Sequence, residues 1–333
     1  MKNMFKSGSI VVVALLLIFI ALPAMAGNGA LGDTNIKYFG RWDFSSPTQY
    51  MSYWGGAYIK VKFTGTTVKV KVGKASNYYA KIDDGPWLSY NDQSGTINLT
   101  PKSLSPGTHS LSVAQGKDYD YVFNFQGLVL DPGATTKAPE TSKKLIEYIG
   151  DSITTGYTDP QANVSAFGWV LSEKLGAEHT QISYPGINLT SGYKGSTGMD
   201  VQYFKQQSVA HNNSPDWDFK SYTPNAIVIN LGTNDNTNQI ADSLFQQTYT
   251  TFLKNIRDKF PKAKIYVLRT FLNLKAGPTK ASVAARHADG DKQVFYIDTE
   301  GWLQTQSADY TDNVHPSVTG NIKVAEKLAS IIK

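Results

Sequence analysis

The chain has 333 residues and a formal charge of +5, with 41% hydrophobic, 12% aromatic and 18% charged residues. That length fits two domains at roughly 100–200 residues each, and this composition excludes a wholly disordered chain. Cysteine is absent, which excludes disulfide frameworks, thiol nucleophiles, thiolate zinc sites and iron–sulfur clusters.

Residues 1–26 carry Lys2 and Lys6, an apolar run over 10–22, Pro23 and then Ala24-Met25-Ala26. A basic start, a short apolar run and an Ala-x-Ala site predict a secretory signal cleaved after Ala26. The apolar run is too short to span a bilayer, so the mature chain is expected to be extracellular without a membrane span. Loss of Lys2 and Lys6 lowers its formal charge from +5 to +3. No Lys/Arg-rich run stands out, so nucleic acid is not an expected partner. Gly27-Asn28-Gly29-Ala30-Leu31-Gly32 matches a dinucleotide fingerprint formally, but no strand precedes it and no helix follows, so no cofactor is expected. His109 and His179 lie near predicted strands and are expected to be structural, and His211 and His287 lie in loop-like stretches without a carboxylate at metal spacing, so no metal is expected either.

Residues 27–130 read as an all-β unit. Segments 58–63, 68–72, 79–83 and 109–113 alternate apolar and polar residues, the period of half-buried strands. Turn residues at short intervals between them, such as Gly55-Gly56 and Ser105-Pro106-Gly107, predict an antiparallel jelly-roll sandwich. Residues 131–143, with Pro132 and Pro139 and no apolar period, read as a linker or crossing strap.

Residues 144–333 change period. Apolar strands at 145–149, 182–184, 226–231, 264–268 and 294–297 are separated by helical patterns at 167–175 and 241–260, and the last is followed by one at 318–332. This order predicts an α/β/α three-layer domain around a mostly parallel five-stranded sheet.

Three polar clusters follow strand ends in this half, where open parallel sheets place their sites: Gly150-Asp151-Ser152, Gly232-Thr233-Asn234-Asp235 and Asp312-Asn313-Val314-His315. A serine hydroxyl becomes a useful nucleophile when a neighbouring base takes its proton, which neutral histidine does near pH 7. Ser152 is therefore the expected nucleophile, His315 the base, and Asp312, three residues earlier, the group that orients the imidazole. The developing oxyanion needs donors, and the candidates are the Ser152 N–H, the Gly186 N–H and the Asn234 amide, with Gly192 or Gly195 as substitutes for Gly186. Trp217, Tyr193, Trp302 and Tyr310 flank these clusters and could stack on sugar rings or pack in the core. The Gly-x-Ser-x-Gly, His-Glu-x-x-His and P-loop patterns are absent.

These clusters, together with Tyr184-Pro185-Gly186-Ile187-Asn188 after the second strand, resemble the four ordered blocks of the SGNH (GDSL-type) hydrolase superfamily. The preceding sandwich, with Gly107-Thr108-His109-Ser110-Leu111 and Phe125-Gln126-Gly127-Leu128, is similar to the N-terminal jelly roll of family 2 carbohydrate esterases. The resemblance implies the same nucleophile, base and oxyanion residues as above. It also implies a serine esterase acting through an acyl-enzyme on acetylated poly- or oligosaccharides, acetylxylan or a related hemicellulose. His315 would be oriented by Asp312 or, as in some members, by backbone carbonyls. The rival readings are an esterase for longer acyl chains and a non-catalytic glycan-binding protein.

Overall fold

A computed structural model describes residues 27–117 and 122–332; the expected signal segment 1–26 lies outside them. The N-terminal unit contains β1 (Lys37–Phe39), β2 (Trp42–Asp43), β3 (Tyr50–Ser52), β4 (Tyr58–Gly65), β5 (Val68–Ile82), β6 (Leu88–Asn98), β7 (Gly107–Gln115), β8 (Phe123–Leu130) and β9 (Thr136–Lys137). They form one antiparallel sheet in the order β1-β4-β7-β5-β8-β3-β2, with β6 added on β5 and β9 on β4. β9 lies within the segment read as linker or strap, so that stretch contributes a short edge pairing to the sheet.

Alternation decides which face is buried. Ile59, Val61 and Phe63 of β4 and Val68, Val70 and Val72 of β5 are buried in one core, while Lys69 and Lys71 between them point outward. The segments at 68–72 and 79–83, read separately from the sequence, are parts of the same strand. Its first part pairs with β8 and its last part with β7, and register shifts fall between Val72 and Tyr78. Bulges bend a strand and increase its twist, so β5 carries the sheet round the core into a nearly closed, jelly-roll-like barrel.

The C-terminal unit is a five-stranded parallel sheet, β11-β10-β12-β13-β14, built from β10 (Leu145–Gly150), β11 (Glu178–Ser183), β12 (Ala226–Asn230), β13 (Lys264–Leu268) and β14 (Val294–Ile297). Its helices are α1 (Ser152–Thr155), α2 (Ala162–Ser165), α3 (Phe167–Leu175), α4 (Met199–Gln202), α5 (Thr233–Thr237), α6 (Asp242–Lys259), α7 (Ala276–Ala288) and α8 (Val318–Ala329). Successive residues along a strand face opposite sides, and here they feed two separate cores. Ile149, Ile227 and Ile229 pack with Phe245, Tyr249 and Phe252 of α6, whereas Ile146, Tyr148 and Val228 pack with Leu171 of α3 and Val324 of α8. The result is the three-layer α/β/α arrangement expected from the alternation of strands and helices.

Candidate active site

β10 ends at Gly150, where a side chain cannot be accommodated: a Cβ there would lie 1.9 Å from Thr154 Oγ1 and 2.9 Å from the Asn230 carbonyl oxygen. Asp151 then caps α1, its Oδ1 accepting from the Ile153 N–H at 2.9 Å. This turn sets Ser152 at the C-terminal edge of the sheet, almost buried at 7% exposure.

The second contributor arrives from the far end of the chain. Asp312 folds the segment before α8 by accepting the Val314 and His315 N–H groups on Oδ1, both at 2.7 Å. Its other oxygen, Oδ2, lies 2.8 Å from His315 Nδ1, and His315 Nε2 lies 2.9 Å from Ser152 Oγ. Partial burial by itself would push the Asp312 carboxyl up. The hydrogen bonds from the His315 ring, the His315 N–H and the Val314 N–H outweigh it and hold the carboxyl below its ordinary value. The three residues picked from two separate motifs therefore stand in one hydrogen-bonded line.

Gly186 lies after β11 in the turn closed by the Ile187 N–H to the Tyr184 carbonyl, with φ +80° and open space where a side chain would stand. Gly192 and Gly195 use their own N–H groups locally, on the Ser196 and Gly192 carbonyls at 2.8 and 3.2 Å. Asn234 sits at the start of α5 with its amide nitrogen 3.1 Å from the Ile187 carbonyl and 3.3 Å from Asp151 Oδ2.

Two carboxyls behind this site were not singled out by sequence reasoning. Asp235 is buried and accepts the Leu189 N–H at 2.7 Å and the Thr190 N–H at 3.0 Å, which fastens the loop after Gly186 to the Gly-Thr-Asn-Asp turn. Desolvation raises its pKa despite these bonds. Asp151 is fully buried, and desolvation, aided by the nearby Asp235 charge, pushes it up to about 7 against the opposing hydrogen bond from Ile153. Their adjacency to chosen motif residues was the available signal.

Tyr157 was also missed. Its ring lies 5.7 Å from the His315 ring, and Lys117 of the N-terminal unit places its Nζ 4.4 Å from the Tyr157 ring centre. Of the flanking aromatics, Trp217 is 8% exposed, while Trp302 and Tyr310 pack against the core beside α8. Tyr193 lies in a short turn beside Lys194. Among the described residues, no group of three histidine or acidic side chains is placed to hold a metal, and no helix is long and apolar enough to cross a membrane.

A serine, histidine and aspartate in line at the C-terminal edge of a parallel sheet define an acyl-transfer type of site. Residues 148–321 match the GDSL-like lipase/acylhydrolase family, and the chain belongs to it. Residues 38–139 match the carbohydrate esterase 2 N-terminal domain.

Particular relatives narrow the comparison. Over 325 residues the chain is 28% identical to the cellulase/esterase CelE of Acetivibrio thermocellus, covering 90% of this chain and 39% of that protein. Over 254 residues it is 25% identical to an acetylxylan esterase / glucomannan deacetylase of Cellvibrio japonicus, covering 68% of this chain and 70% of the relative. A solved family two carbohydrate esterase from Clostridium thermocellum, in complex with cellohexaose, superposes with a TM-score of 0.80 at 27% identity, covering 90% of this chain and 98% of the other.

Proposed function

We propose that the protein is a serine esterase that removes acetyl groups from carbohydrates, acetylxylan or a related hemicellulose. The observation that carries this reading is the 2.9 Å approach of Ser152 Oγ to His315 Nε2. In this reading Nε2 takes the hydroxyl proton as Oγ attacks the ester carbonyl, and Asp312 holds the Nδ1–H tautomer and stabilises the imidazolium. The Ser152 and Gly186 N–H groups and the Asn234 amide receive the oxyanion. Asn234 exchanges its contact with Asp151 or Ile187 for that charge. Collapse of the tetrahedral intermediate returns the proton from His315 to the departing sugar oxygen, and a water activated by the same imidazole releases acetate from Ser152.

Gly186 is preferred over Gly192 and Gly195 because the N–H groups of the latter two are already engaged. The sugar substrate is supported by the carbohydrate esterase 2 N-terminal match and by relatives named for acetylxylan and glucomannan. We further read the protein as exported after loss of residues 1–26, with the boundary between its two units in residues 131–143.

The test is acetate release from acetylated xylan and glucomannan by wild type and Ser152→Ala. Activity present in the wild type and absent in the variant supports the reading. Inert acetylated glycans together with faster cleavage of aryl octanoate than aryl acetate would favour an esterase for longer chains.

A further inference from the structure

The outer face of the barrel carries a trough that the Ser152 site does not use. On that face β7 contributes only small side chains, Ser110, Ser112 and Ala114, in register with Lys62, Lys60 and Tyr58 of β4. On its other side Ser112 is paired with Lys81 and Ala114 with Tyr79 of β5. A row of short side chains between two rows of long ones makes a furrow, because side chains at i and i+2 stand on the same face of a strand. α3 and the start of β11 roof it, leaving a cavity of about 600 Å³ between the two units, within the ~300–1,000 Å³ range of small-ligand sites.

The lining describes its occupant. Each of its four carboxylates already has a basic partner: Glu178 with Lys60 at 2.8 Å, Glu173 with Lys81 at 3.5 Å, Glu140 with Lys62 at 3.1 Å and Asp83 with His109 at 2.7 Å. No charge is left over to select an ion. What remains is a set of hydroxyls and paired charges able to donate and accept, together with Trp87, half-buried, edge-to-face with Trp169 at 5.1 Å and with Lys81 Nζ 5.9 Å from its ring centre. Aromatic faces cover the apolar side of a sugar ring while polar groups take its hydroxyls.

We propose that this trough is a second, non-catalytic binding site for a neutral oligosaccharide segment. It is separate from the Ser152 cleft. Glu178 and His179, in its wall, begin β11, whereas Gly186 follows the other end of that strand, and the five steps of about 3.3 Å from Glu178 to Ser183 place that end roughly 17 Å away. The proposal does not rest on the esterase reading, because binding is measured with unacetylated sugar.

Cellohexaose and xylohexaose are titrated calorimetrically into the wild type, Trp87→Ala and Ser112→Gln, and hydrolysis of a soluble aryl acetate is followed alongside. Trp87→Ala removes the aromatic face, and Ser112→Gln fills the furrow floor. The expected result is a wild-type binding event that both variants weaken about tenfold or more, with aryl-acetate turnover within about twofold of wild type. Oligosaccharide affinity unchanged in both variants, no binding of either sugar, or loss of binding in step with loss of turnover would each overturn the proposal.

Discussion

The Asn234 amide nitrogen donates to Asp151 Oδ2 at 3.3 Å, so the residue expected to receive the oxyanion is tied to the carboxyl immediately before the nucleophile candidate. Its second contact, the Ile187 carbonyl at 3.1 Å, lies in the turn that carries Gly186. Asn234 thus joins the loops that hold all three proposed donors. Asn234→Ala is expected to lower kcat by roughly 10²–10³, with a smaller change in KM, because the lost donor acts mainly on the transition state. Steady-state kinetics on an aryl acetate decide it, and an effect confined to KM would contradict the assignment.

Asp312 offers a different kind of test. Its carboxylate both shapes the turn, through the Val314 and His315 N–H groups, and meets His315 Nδ1. Asp312→Asn retains an acceptor for the turn but weakens the hold on the tautomer, and the expected loss in kcat is about 10²–10⁴. Wild-type activity in this variant would mean that backbone carbonyls orient the imidazole.

Much of this geometry was readable because it is carried by short local patterns. Asp312 and His315 are three residues apart, and Ser152 follows its strand almost immediately, so only the meeting of the two segments needed the fold. Other parts depend on partners that no local pattern names. β11 begins at Glu178, earlier than the apolar stretch at 182–184 suggests, because its polar residues are buried by pairing with distant groups. Glu178 binds Tyr58 and Lys60, Thr180 binds Glu147, and Gln181 binds Asn163. α7 escaped notice since it opens on Ala276-Gly277-Pro278, which reads as a turn, although proline is well suited to the first turn of a helix.

The His109–Asp83 pair sets a pH window for stability. The hydrogen bond that the His109 ring donates to the Asp83 carboxylate raises the His109 pKa, opposed by burial and assisted by the Ser105 carbonyl. For Asp83, burial pushes upward but the bonds from His109 and Ser110 prevail and lower it. The His109 contribution is therefore complete below its unfolded value of 6.5 and is lost as pH rises through the raised folded value. The Asp83 contribution is present above 3.8 and is lost as pH falls through its lowered folded value. Both act together between about pH 4 and 6.5. Since Asp83 is half exposed, solvent screening limits the pair to about 1 kcal/mol or less. Urea unfolding of wild type and His109→Gln should show the gap near pH 5.5 and a smaller one near pH 9, and a gap that grows toward alkaline pH would refute the assignment.

Arg41 joins the two units by a stronger means. It belongs to the N-terminal unit and is fully buried, yet its Nη1 donates to the Tyr203 and Lys205 carbonyls of the C-terminal unit. Its guanidinium carbon lies 4.8 Å from the Tyr203 ring centre and 5.4 Å from those of Trp217 and Phe219. Tyr203 and Tyr222 in turn donate to the buried Glu147 on β10. Removing Arg41 strands the Tyr203 and Lys205 carbonyls, and leaving a buried acceptor unsatisfied costs about 1–3 kcal/mol for each group. A bond of this kind across the interface makes the two units unfold together. Scanning calorimetry is expected to show one transition for the wild type and, for Arg41→Ala, a lower midpoint with the transition split into two. A single transition at an unchanged midpoint in the variant would show that the remaining interface couples the units without Arg41.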